Sequence, residues 1–154
     1  MSRPLAAIAT GGAIAGAFDI AYAMIYSYFR SGVAPTRILQ SVASGLLGRA
    51  AYDGGAATAA LGLALHFLMA LAMAAAYVFA ARRVPALIRR PVLYGSLYGL
   101  FLYLFMNLVV LPLSRFPSLA MPATITIVTS IIVHMFLVGV PIALAARRVY
   151  RKRE

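Results

Sequence analysis

Four stretches of this chain are apolar for long enough to cross a bilayer, and short polar segments separate them. Leu5 to Phe29, Ala56 to Ala80, Val92 to Leu113 and Ala123 to Ala146 each supply the roughly 20 predominantly apolar residues that a spanning helix needs. Arg30-Ser31-Gly32, Arg82-Arg83-Val84-Pro85, Pro112 to Pro117 and Arg147-Arg148 close them in turn. Between the first two windows the periodicity changes. From Thr36 to Ala50, apolar residues fall at Ile38, Leu39, Val42, Leu46 and Leu47, which is helical spacing with one apolar side. That pattern predicts an amphipathic helix over 36–50 lying in the interface, either capping the bundle or gating a cavity. The expected fold is all-α: one polytopic domain over 1–154, with four transmembrane helices and one extracytoplasmic amphipathic helix.

Charge sets the expected orientation. With four spans, the N-terminus, the second loop and the C-terminus share one side, which carries Arg3, Arg82, Arg83, Arg89, Arg90, Arg147, Arg148, Arg151, Lys152 and Arg153. The other side carries only Arg30, Arg37, Arg49 and Arg115. Arg and Lys concentrate in cytoplasmic loops, so both termini are expected in the cytoplasm, with the protein in the inner membrane of a bacterium. Arg3 followed by an apolar stretch has the look of a secretory signal. The run continues to Phe29, past the usual 7–15 residues, so an uncleaved first span is expected.

Composition narrows the function classes. Hydrophobic residues make up 64% of the chain and charged residues 11%, against roughly 25% charged in a soluble domain. A net charge of +11 would point to nucleic acid in a soluble protein, but no basic face remains once the loops are assigned. The expected partners are therefore the lipid bilayer and, in a homo-oligomer, further copies of the chain. Cysteine is absent, which removes disulfides and thiolate metal sites.

A weak internal repeat runs through the spans. His66-Phe67-Leu68-Met69 resembles His134-Met135-Phe136-Leu137, and Gly12 and Gly16 are spaced like Gly95 and Gly99. Two parallel helical hairpins about an axis along the membrane normal would explain it. The glycines themselves read as faces that let helix backbones approach closely.

The candidate chemistry lies in one layer. At about 1.5 Å per residue, Asp19, His66 and His134 each sit about 15 Å from the extracytoplasmic end of their spans. Ionisable groups at such depth are costly and tend to be functional. Asn107 and Tyr22 are candidates to extend this layer, and Asp53 and Arg49 to mark its extracytoplasmic mouth. Three uses are open: fixing helix packing, relaying protons or ions, and ligation of haem or a divalent metal by His66 and His134. No cofactor is expected outright. Thr126, Thr129 and Ser130 lie near His134, but no nucleophile constellation is visible, so an enzyme is not the favoured class. Pro141 is expected to kink the last span.

The run Gly-Gly-Ala-Ile-Ala-Gly-Ala-Phe-Asp at 11–19, and Gly45-Leu46-Leu47-Gly48 before Gly54-Gly55, resemble the small bacterial inner-membrane proteins of the YagU type. That resemblance implies a bacterial inner-membrane location and carries over no functional residue. The expected function is proton-linked transport or permeation of a small solute, with a structural or assembly role as the alternative.

Overall fold

A computed structural model describes residues 3–117 and 123–150. Among them the chain forms α1 (Arg3–Ser31), α2 (Pro35–Leu47), α3 (Gly55–Ala81), α4 (Ala86–Arg89), α5 (Pro91–Leu113) and α6 (Thr124–Tyr150), with no strand. The helices α1, α3, α5 and α6 are long and apolar enough to span a membrane. Their bounds lie within a few residues of the four sequence windows. Arg151, Lys152 and Arg153 of the charge count lie outside the described residues.

The amphipathic helix is shorter than its sequence pattern. Pro35 opens α2, where its missing N–H costs nothing. The helix stops at Leu47 because Gly48 takes φ +64, in the left-handed region that favours glycine, and a 3₁₀ turn follows over Gly48–Tyr52. Residues 48–50, expected at the end of the helix, therefore belong to that turn.

Packing is inverted relative to a soluble bundle. The buried positions are mostly small, including Ala15, Ala74, Ala143 and Ala146, whereas Phe101, Leu104, Leu108, Ile132 and Phe136 face outward. Such a surface would aggregate in water, but lipid accepts it, and close backbone approach then holds the helices together. The chain is an integral membrane protein. Glycines mark each close approach. Gly12 lies against Ala70 and Leu71 of α3, Gly11 against Ile142 and Ala145 of α6, and Gly62 against the Leu39 carbonyl of α2.

The same contacts bear on the repeat. Gly16 meets Phe67 and Ala70, and Gly99 meets His134 and Met135; Gly12 meets Leu71, and Gly95 meets Gly139. Aligning His66 with His134 pairs Phe67 with Met135 and Leu71 with Gly139, so the two hairpins dock through equivalent positions.

Two wide turns interrupt the spans. A π-helical turn covers Met106–Val110 in α5 and another covers His134–Gly139 in α6. Each ends just before a proline, Pro112 and Pro141 respectively. A proline leaves the carbonyl four residues earlier without its helical partner and crowds it, which favours widening of that turn. The irregularity expected at Pro141 thus takes the form of a π turn that begins at His134.

Candidate functional site

Asp19, His66 and His134 line one chamber of about 120 Å³ between α1, α3, α5 and α6. Asp19 gets there because α1 turns its glycine face inward, toward α3 and α6, and Asp19 follows Gly16 on that face by a little under one turn. Met69 and Met73 follow His66 by three and seven residues on one face of α3, and Met106 enters from the start of the α5 π turn. Leu102, Val138 and Ile142 complete the apolar wall.

The hydrogen bonds define where protons sit. Nδ1 of His134 is 2.9 Å from the Ser130 carbonyl oxygen, which can only accept, so Nδ1 donates. Nε2 of the same ring faces Asp19 Oδ1 at 3.8 Å, the only ion pair among the described residues. A bare Nε2 lone pair directly against an ionised oxygen would be repulsive, so the geometry calls for a proton on one of the two groups or a water that donates to both. At 3.8 Å the pair is wide for a direct hydrogen bond and suits bridging by water. His66 has the opposite tautomer: its Nε2 donates to the Gly16 carbonyl oxygen at 2.9 Å. The Tyr103 ring packs edge-on against His134, with centroids 5.4 Å apart.

The chamber continues into a larger vestibule of about 470 Å³, with Asp19, His66, Met69 and Met106 lining both. The vestibule runs beneath α2, past Ile38, Ser41 and Gly45, to Ser114 and Phe116 after α5. The backbone N–H of Arg115 donates to the Gly45 carbonyl at 2.8 Å, and Gln40 Nε2 donates to the Gly55 carbonyl at 3.1 Å, so α2 is fixed over the cavity. Toward the end that carries both termini, the bundle closes. Tyr98 donates to the Met73 carbonyl at 2.8 Å, Tyr77 packs on Tyr98, and Ala74, Val78 and Ile142 are fully buried beneath. The cavity is blind at that end.

The remaining sequence candidates lie elsewhere. Tyr22 donates to Thr129 Oγ1 at 2.7 Å and Tyr26 pairs with Thr126 Oγ1 at 3.0 Å, which ties α1 to α6 outside the cavities. Asn107 is exposed and donates to the Tyr103 carbonyl of its own helix at 2.8 Å. Arg49 is exposed within the 3₁₀ turn and Asp53 is exposed just after it, and neither lines a cavity. The residues that sequence reasoning missed are Met69, Met73 and Met106 in the chamber and Ser41 and Ser114 in the vestibule. Only the spacing from His66 could have signalled the first two.

A chamber of about 120 Å³ holds an ion or a few waters. No protein family, curated protein or solved structure matches the chain.

Because the chain has no cysteine, introduced thiols report access cleanly. Ser41→Cys, Ser114→Cys and Met106→Cys should react with a membrane-impermeant maleimide applied from the α2 face. Ala74→Cys and Val78→Cys should react from neither face. Equal labelling of Ala74→Cys would contradict the closed end.

Proposed function

We propose that this protein is a small carrier of the bacterial inner membrane, which moves a small solute or ion in exchange for the proton held by Asp19 and His134. The observation that supports this most is their pairing in a chamber that continues beneath α2 and is blind at the other end. A continuous pore would dissipate the proton gradient, whereas a site reached from one side at a time can couple two fluxes. The arginines favour placing both termini in the cytoplasm: Arg3, Arg82, Arg83, Arg89, Arg90, Arg147 and Arg148 lie at the closed end. The α2 face would then open outward, to the periplasm in a two-membrane cell. Location in the inner membrane is also what the YagU-type resemblance implies.

Proton exchange needs a group that gains and loses its proton as the partner leaves and enters. The Asp19–His134 pair would supply such a proton from a largely apolar wall, where an uncompensated charge is costly. A cation entering the chamber would favour release of that proton, since the chamber's net charge then stays constant. Reconstituted vesicles enclosing a pH-sensitive dye test this. Imposed gradients of small cations and neutral solutes should move protons for at least one solute, only when the protein is present. Solute flux without proton movement would indicate a passive channel, and no flux of any solute would leave a packing role for the polar layer.

A further inference from the structure

Three of the seven methionines of this chain converge on the small chamber that holds both histidines. From that convergence we infer that the chamber binds a soft monovalent metal ion, Cu(I) or its congener Ag(I), through the thioethers of Met69, Met73 and Met106 with His134 as the fourth donor. The inference rests on the carrier function proposed above and names the class of ion carried.

The donor set selects the metal. Thioether sulfur is a soft ligand suited to Cu(I), imidazole accepts it as well, and hard cations such as Mg²⁺ or Ca²⁺ require several oxygens. Asp19 is the one carboxylate on the chamber wall. No three His, Cys, Asp or Glu side chains among the described residues are grouped to hold a metal ion, so any site here depends on the thioethers.

The His134 ring is also held as a ligand is held. Ligating histidines usually donate the other ring N–H to a backbone carbonyl or a carboxylate, which fixes tautomer and orientation. His134 donates from Nδ1 to the Ser130 carbonyl and turns Nε2 toward Asp19 on the chamber wall. The π turns begin at Met106 and His134, both of which line the chamber. Such turns recur at functional sites.

Binding transfers no electron, and Asp19 on the chamber wall supplies a counter-charge for one monovalent cation.

The test is calorimetric titration of the purified full-length protein in lipid nanodiscs with silver nitrate in chloride-free buffer. One Ag(I) should bind per chain. Met106→Leu and the Met69→Leu/Met73→Leu pair, which keep the packing volume, should each weaken binding at least about tenfold. Met24→Leu, which lies outside the chamber, should leave it unchanged. Absence of saturable binding, or binding indifferent to the chamber methionines, overturns the inference. Zn(II) binding that survives both methionine variants would also overturn it, in favour of a histidine–carboxylate dication site. Chamber-dependent Ag(I) binding without proton-coupled flux keeps the metal site and removes the carrier. Proton-coupled flux of another solute without Ag(I) binding does the reverse.

Discussion

Gly99→Ala should lower the thermal midpoint by on the order of 10 °C and collapse the chamber. A Cβ at this position would overlap the His134 carbonyl oxygen and press on the Met135 backbone. Neither neighbour is the end of a flexible side chain, so α5 and α6 must separate. Overpacking costs about 1–3 kcal/mol, and a backbone obstruction belongs at the upper end of that range. Each kcal/mol corresponds to about 2–4 °C in a chain of this size. The displaced strip begins at His134, so its distance from Asp19 should grow as well. Gly62→Ala should act similarly by lifting α2 off α3 at the Leu39 carbonyl. Gly45→Ala is the control: its nearest neighbour would be the Ser114 Cβ at 3.7 Å, an ordinary contact. Its stability should stay within about 0.5 kcal/mol of the parent. Thermal unfolding in nanodiscs, followed by circular dichroism, measures all three.

Asp19→Asn should abolish proton-coupled flux and leave the fold intact. The replacement keeps the shape of the side chain and removes the carboxylate that shares a proton with His134 Nε2. Asp19 and His134 keep about 27% and 18% of their side-chain surface accessible within the bundle cavities. An ion pair reached by solvent contributes about 0–1 kcal/mol, so the stability change should be small. Loss of one partner from a fully buried, purely structural pair would instead cost about 3–5 kcal/mol. The same variant thus separates the two uses of the layer: lost coupling with a kept midpoint for a carrier, a large fall in midpoint with no flux to lose for a packing pair. His134→Gln should behave as Asp19→Asn does, because either change removes the shared proton.

The spans are readable from sequence because bilayer thickness imposes length and hydropathy on them, and nothing in the interior of the bundle can override that. The depth of Asp19, His66 and His134 is readable for a related reason, since rise per residue converts position into height. Height is not azimuth. Asn107 turns back to the Tyr103 carbonyl, and Tyr22 turns to Thr129. The face a residue presents in an all-apolar helix follows from glycine contacts such as Gly16 on Phe67 and Gly99 on His134, and these need the partner helix to be known. The π turns are hidden for the same reason: prolines at 112 and 141 announce a disturbance, but not which side chains it turns inward. The methionines are legible only as apolar residues, because a thioether on a helix facing lipid or core looks the same as one facing a chamber. Asp53 and Arg49 look like a mouth because they are the charges nearest α3, while the vestibule opens past α2 and Ser114 instead.

The most direct test of a single proton shared by Asp19 and His134 is the ¹⁵N resonance of the two histidine rings in lipid bilayers. The chain has only these two histidines, so His134→Gln assigns both signals. His66 should be protonated at Nε2 and His134 at Nδ1. The Nε2 signal of His134 should shift in Asp19→Asn, and the ¹³C signal of the Asp19 carboxyl should shift in His134→Gln. A His134 protonated at Nε2 alone, or signals untouched by each other's substitution, would contradict the shared proton and the exchange built on it.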